Sequence, residues 1–279
     1  MLVSRFKKNE GKMNFNRKIL INLIFLTLIF LATGCSTISI SNFQDGKPLG
    51  KGRVRLGIGS ELSPMTNYGI SGADVNNPEN FDTFIDSSDL ADGQDSSYYF
   101  WGLYNLLVQY GVTDKIDIGV IPFVGAYGLN FGAKGFTKYA FMPEESAIQI
   151  AAVPYLGYSR FSVESESPDE VFSTEWDSKL NQYNTIYYGL DVPVSWKFLY
   201  AAIKVYSKTL NGKFTYWDKD VTHEPSLSSL SYGVAIGGDG FKTDGRDLGR
   251  TEIQIMYEKT PKDQWEPRIY VGWNKFFEF

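Results

Sequence analysis

The sequence predicts an all-β fold: an antiparallel up-and-down transmembrane β-barrel of about ten strands, within a range of roughly eight to twelve. Three observations predict it. Apolar and polar residues alternate with a period of two along most of the chain, as in strands whose two faces meet different surroundings. The chain is rich in Gly, Tyr and Phe (27, 18 and 20 residues), a composition that suits strands and turns better than helices. Short turns and long loops also alternate between the strands, an asymmetry of barrels that cross a bilayer.

The first element is a leader over residues 1–34. Arg5, Lys7, Lys8, Lys12, Arg17 and Lys18 form a basic stretch, and Ile19 to Ala32 is apolar except for positions such as Asn22 and Thr27. A spanning helix needs about 20 apolar residues, so this run reads as an export signal. A start at Met13 leaves a basic stretch sufficient for the same purpose. Cys35 follows the leader and is the only cysteine, so no disulfide forms within the chain. Residues 35–46 read as a linker and 47–279 as the barrel domain.

Strands follow from the alternation. Val54, Leu56 and Ile58 share one face, opposite Arg53, Arg55 and glycines. Tyr104, Leu106, Val108 and Tyr110 oppose Asn105 and Gln109. Ile116, Ile118 and Val120 oppose Asp117 and Gly119. Phe131, Ala133, Gly135 and Tyr139 oppose Asn130, Lys134 and Lys138. Ile148, Ile150 and Ala152 oppose Gln149 and Ala151. Ile186, Tyr188, Leu190, Val192 and Val194 oppose Tyr187, Asp191 and Ser195. Leu199, Ala201, Ile203 and Val205 oppose Tyr200 and Lys204. Leu230, Tyr232, Val234 and Ile236 oppose Ser229, Ser231 and Ala235. Ile253, Ile255 and Tyr257 oppose Arg250, Glu252 and Gln254. Ile269, Val271, Trp273, Phe277 and Phe279 oppose Arg268, Tyr270 and Asn274.

The apolar faces are expected to meet lipid and the polar faces to line the lumen. Aromatic residues near strand ends (Phe100, Trp101, Trp196, Phe198, Trp273, Phe277) suit an interfacial girdle. Tight turns are expected at Thr113–Lys115, Met142–Glu145 and Trp196–Lys197, and long loops at about 63–97, 159–184 and 208–226. Two connections break the rule: the loop near 125–129 is short, and 238–249 is long.

On this reading Arg53, Arg55, Lys134, Lys138, Lys204, Arg250 and Arg268 point inward with Asp117, Asp191 and Glu252. A ten-stranded barrel is narrow, so two readings stand: a hydrogen-bonded ionic filling, or a basic lumen that passes small anions. The formal net charge is −5, and removing the basic leader makes the chain more acidic. That argues against nucleic acid as a partner.

Certain motifs carry resemblances. Leu31-Ala32-Thr33-Gly34-Cys35-Ser36 resembles the lipobox of bacterial lipoproteins, which implies cleavage before Cys35 and its acylation. Ala32 stands where that family usually has leucine. Ser36 after the cysteine resembles outer-membrane sorting. Tyr110-Gly111-Val112-Thr113-Asp114-Lys115-Ile116-Asp117-Ile118-Gly119 resembles the periplasmic hairpin of bacterial outer-membrane β-barrel proteins. Phe277 and the terminal Phe279 resemble the signal read by the barrel-assembly machinery, although Lys275 falls on the lipid-facing parity. Lys47-Pro48-Leu49-Gly50-Lys51-Gly52 resembles the opening of lipoprotein-type barrels. The resemblance implies a Gram-negative outer membrane as location. Its implied partners are outer-membrane lipids and the barrel-assembly and lipoprotein-processing machineries. With Cys35 anchored on the periplasmic face, strand one rises and an even strand count returns the C-terminus to that face.

No cofactor is expected and no metal site is assigned. The first long loop carries Asp74, Glu79, Asp82, Asp86, Asp89, Asp92 and Asp95, at spacings that match no compact calcium loop. The second holds Glu164, Glu166, Asp169, Glu170, Glu175 and Asp177. Trp176 and Trp217 dot these acidic loops, which suits basic or carbohydrate partners as well as plain solvation. His223, the single histidine, stands near Asp218, Asp220 and Glu224. Some outer-membrane proteases are ten-stranded barrels with a loop Asp–His pair, a pairing that activates water. Theirs has one intervening residue; Asp220 and His223 have two. The expected role is non-enzymatic: structural, surface-binding or narrow-channel. The rivals are a barrel enzyme of protease or lipid-modifying type using His223, and a lipid-anchored periplasmic β-sandwich or lipocalin-like carrier.

Overall fold

A computed structural model of the chain describes residues 38–279, apart from 65–67, 71–83, 87–99, 126–129, 144, 165–177, 217–221, 225, 240–248 and 260–263. The leader, Cys35, Asp218, Asp220, both loop tryptophans and most of the loop acids lie outside these residues.

Ten long strands follow in chain order: β1 (Val54–Pro64), β2 (Phe100–Gly111), β3 (Ile116–Gly125), β4 (Asn130–Ala140), β5 (Ile148–Glu164), β6 (Ser178–Trp196), β7 (Leu199–Tyr216), β8 (Ser226–Asp239), β9 (Arg250–Lys259) and β10 (Trp265–Glu278). Each pairs antiparallel with its neighbours in sequence, and β10 returns to pair with β1. Arg55 faces Glu278 and Leu62 faces Val271 across this seam. Val54 and Phe279 exchange backbone hydrogen bonds of 3.1 and 2.9 Å at its end. The result is a closed barrel with no free edge. Two short strands, Tyr68–Ile70 and Phe84–Asp86, pair within the first long connection. Thr222–His223 adds a third against β7.

Period-2 alternation sets which side chains face out. Ile118, Leu190 and Ile255 are 47%, 43% and 44% exposed, whereas Lys134 and Arg250 are 0% and 4% exposed. The outside is therefore greasy, and the inside carries the charges beside an apolar cluster that includes Leu103, Leu107, Ile121 and Phe136. On β6 the outward residues are apolar from Trp196 up to Ile186 and polar beyond, at Asn184 and Gln182. On β7 they change at Ser207, after Leu199, Ala201, Ile203 and Val205. Residues 186 to 196, rising about 3.3 Å each at a tilt of roughly 40°, make a belt about 25 Å tall.

Above the belt β5, β6 and β7 continue, for totals of 17, 19 and 18 residues. The expected loops 159–184 and 208–226 therefore lose 159–164, 178–184, 208–216 and 226 to these strands. The physical reason is that strand pairing needs only ladder hydrogen bonds. In water both faces can be polar, so the alternation fades while the pairing persists. Tyr158, Tyr188, Tyr232, Tyr257 and Trp265 lie toward the upper rim, where Tyr232 touches Trp265 with ring centroids 4.9 Å apart. Trp196, Phe198, Tyr139 and Phe141 lie at the lower rim.

The turn at the lower end between β2 and β3 is built by Thr113, whose Oγ1 accepts the N–H groups of Lys115 (3.1 Å) and Ile116 (3.0 Å). The β6–β7 turn has two residues, with Lys197 in the left-handed region at φ 55°. Among the described residues no helix is long and apolar enough to cross a membrane, which says nothing of a β-barrel.

Candidate functional site

The lumen holds a feature that alternation does not reveal: residues 38–49 run inside the barrel. Ile38, Ser39, Ile40, Ser41, Asn42, Phe43 and Gln44 are all buried. This segment, here called the plug, occupies the place that the sequence reading gives to side chains alone. Its lower end turns at Gly50 and Gly52, which have positive φ angles of 92° and 78°. Gly52 N–H donates to the Gly111 carbonyl (2.8 Å), which ties the turn to the lower rim. From there β1 climbs beside the plug in the opposite direction. Ser39 meets Glu61, seven residues up β1 from Val54, so the plug fills the barrel from its lower mouth to about mid-height. The expected boundary at residues 46/47 thus falls inside the plug, and the linker from Ile38 onward is part of the barrel body.

Charged wall residues hold the plug by its backbone. Lys134 Nζ on β4 donates to the carbonyls of Ser39 (3.0 Å) and Ser41 (2.9 Å). Lys204 Nζ on β7 donates to the Ile40 carbonyl (3.0 Å). Arg250 on β9 donates to the Phe43 carbonyl (2.8 Å). Lys138 on β4 donates to the Lys47 carbonyl (2.5 Å). Carboxylates take the amides: Glu61 accepts from Ile40 and Ser41 (3.1 Å each), and Asp117 accepts from Leu49 (3.0 Å). Ser195 Oγ accepts from the Gly46 amide (2.5 Å). Buried peptide groups need such partners, and charge-assisted bonds are the stronger kind.

Side-chain contacts complete the fit. Asn42 Nδ2 donates to Asp191 (2.5 Å), and Gln254 donates to Ser41 Oγ (2.6 Å). Phe43 lies over Gly272, where a Cβ would run into its ring. Asp45 is paired with Arg250 at 2.9 Å and stands 3.7 Å from Lys138.

The wall charges also pair with one another. Lys138 is 3.1 Å from Asp117; Lys204 is 2.8 Å from Asp191 and 3.4 Å from Glu252. Tyr200 donates to Glu252. Arg55 is 2.6 Å from Glu278 at the lower rim. Higher up, Glu258 takes Lys208 at 2.9 Å, stands 3.7 Å from Arg268, and accepts from Tyr206 and Tyr270. Among the described residues the buried wall cations are Arg55, Lys134, Lys138, Lys204, Lys208 and Arg250, and the buried wall anions are Glu61, Asp117, Asp191, Glu252 and Glu258.

Of the ten charges expected in the lumen, the structure turns Arg55, Asp117, Lys134, Lys138, Asp191, Lys204, Arg250, Glu252 and Arg268 inward. Arg53 is a correction: it is exposed at the lower rim. The strand begins at Val54, and the glycine turn before it takes the backbone out of the pleat, so the alternation does not reach back to Arg53. Phe277 and Phe279 face outward, 46% and 75% exposed, on the strand that closes the seam. Glu61, Lys208 and Glu258 were missed. Each lies on an inward parity already visible in its strand, at Arg55, Lys204 and Glu252. Nothing in the local pattern announced the plug.

His223 lies in the two-residue strand that pairs its backbone with Phe214, while its candidate aspartates lie outside the described residues. Glu224 is exposed and stands 3.7 Å from Lys213. Among the described residues no group of three or more acidic, His or Cys side chains is placed to hold a metal.

A closed ten-stranded antiparallel barrel with an apolar belt and an ionic interior defines the chain as an outer-membrane-type β-barrel. Among solved structures it is similar to the outer membrane protease OmpT from Escherichia coli, with 9% identity and a TM-score of 0.39 over 87% of this chain and 97% of that one. It is also similar to Ail, the attachment invasion locus protein of Yersinia pestis, with 10% identity and a TM-score of 0.29 over 82% and 99%. Overlaps this loose carry nothing about activity. No protein-family model matches the chain, and no curated protein matches it.

Proposed function

We propose that this chain is a non-enzymatic barrel of the bacterial outer membrane, closed by its own N-terminal segment and presenting tall polar strands to the outside as a structural or surface-binding platform. The observation that carries the reading is the combination of an apolar belt about 25 Å tall with a plug hydrogen-bonded across the lumen. A channel role is disfavoured because wall cations and carboxylates are used up on the plug and on each other.

In this reading residues 1–34 are the export signal, and acylation of Cys35 is the alternative to a seated plug, since three residues reach only about 10 Å. The short-turn end with Phe279 is periplasmic, and β5–β7 stand above the surface. Membrane lipids and the assembly and lipoprotein-processing machineries are its partners. The extended strands favour surface binding over a purely structural role, because polar hairpins standing clear of the bilayer offer both faces to a partner.

Reconstitution tests the reading. The folded protein should migrate faster than the heated one on a gel, and it should be silent in a planar bilayer. Steady conductance by the intact protein would return it to the channel class. The enzyme reading survives only if an activity is found that His223→Ala abolishes.

A further inference from the structure

We propose that the lumen is a binding site for a peptide backbone, separable from the segment that now fills it: without residues 38–49 the barrel stays closed and becomes a pore, which the same peptide supplied in trans shuts again. This rests on the reading of the chain as a membrane barrel and goes beyond it.

Three observations carry the inference. First, the barrel does not need the plug to close. Every long strand has both ladder partners, including the β1–β10 seam. Second, the wall holds the plug by peptide groups: Lys134, Lys204, Arg250 and Lys138 meet carbonyls, while Glu61 and Asp117 meet amides. Such contacts recognise peptide groups, along a chain that turns at Phe43, where φ is 52°. The side chains add the Asn42–Asp191 and Asp45–Arg250 contacts, Ile38 and Ile40 in an apolar cluster of the lumen, and the Phe43 ring over Gly272. Third, three wall cations keep wall partners when the plug is absent. Lys138 keeps Asp117, Lys204 keeps Asp191 and Glu252, and Arg250 keeps Asp239 at 2.7 Å. Lys134 and Glu61, whose hydrogen bonds run to the plug, are met by water in the emptied lumen.

The test uses two proteins. The first lacks residues 38–49. The second is the full chain with a site-specific protease sequence inserted after the exposed Lys51, folded and then cut, so that the plug becomes a non-covalent peptide removable in mild urea. The second decides the matter if the first does not fold. Each is checked for heat-modifiable migration, so that loss of the barrel is distinguishable from loss of the plug site. Conductance should appear in the emptied barrel and fall when a synthetic peptide of residues 38–49 is added. A peptide with Ile40→Pro and Ser41→Pro lacks the amides that Glu61 accepts and should block about tenfold less well. Ile40→Val keeps the amide and should block within about twofold. An intact but silent emptied barrel would overturn the proposal, as would a conducting barrel indifferent to the peptide or equally blocked by the proline variant.

Discussion

The carboxylate of Asp45 lies 2.9 Å from the guanidinium of Arg250 on β9. One partner sits on the plug and the other on the wall, separated by 205 positions in sequence. Arg250 also donates to the Phe43 carbonyl at 2.8 Å and is 2.7 Å from Asp239 at the lower mouth. It therefore couples the plug, the wall and the rim.

Replacing Arg250 should expose how much this coupling contributes. Arg250→Met leaves Asp45 buried with only the more distant Lys138, a loss of about 3 kcal/mol for a broken buried pair. Asp45→Asn should cost less, about 1–2 kcal/mol, because Arg250 keeps Asp239. Urea unfolding in lipid vesicles measures both. Equal costs, or none for Arg250→Met, would contradict the arrangement.

The belt makes a depth-dependent prediction. Leu190→Arg places a cation near the middle of the apolar band and should destabilise the folded barrel by about 2–4 kcal/mol. Asn211→Arg, exposed above the band on β7, should cost less than about 0.5 kcal/mol. Folding into vesicles compares the pair, and similar penalties would mean that the belt does not face hydrocarbon.

Gly272 is the seat of the Phe43 ring. Gly272→Leu should push that ring out and loosen the plug while β10 keeps its ladder bonds, at a cost of about 1–3 kcal/mol. The readout is intermittent conductance from a protein that still shows heat-modifiable migration. A silent, equally stable variant would show that the ring does not hold the plug.

Cys35 precedes Ile38 by three residues, a reach of about 10 Å. Glu61, which meets the plug near Ile38, lies about 18 Å above the lower rim by strand rise and tilt. An acyl anchor in the leaflet beside the short turns and a seated plug therefore exclude one another. Membrane-extracted protein and its Cys35→Ser variant should both resist alkaline extraction, since the barrel alone holds them, and both should be silent in bilayers. A Cys35→Ser protein that washes off membranes would remove the spanning barrel. A wild type that conducts where Cys35→Ser is silent would place the anchor below and the plug outside its seat.

Much of the fold was legible in the chain because side-chain period in a strand is two. Ile118 and Asp117, or Ile203 and Lys204, are neighbours whose opposite chemistry assigns them to opposite faces wherever the strand lies in the sheet. Extending the same parity finds Glu61 from Arg55 and Glu258 from Glu252. Arg53 shows where the rule stops, since the turn at Gly50 and Gly52 breaks the pleat one residue before the strand.

The rest came from tertiary structure. By itself the sequence determined the strands, their two faces and the charged character of the interior, because these depend on residues close together in the chain. Only the closed barrel decided that Ile38–Leu49 lies within it. Ser39-Ile40-Ser41 alternates like any short strand or linker. What places it is Lys134, Lys204 and Arg250, brought from β4, β7 and β9 to a single axis by ring closure. Those partners are 93 to 207 positions away, and no local pattern encodes a meeting that register and closure create.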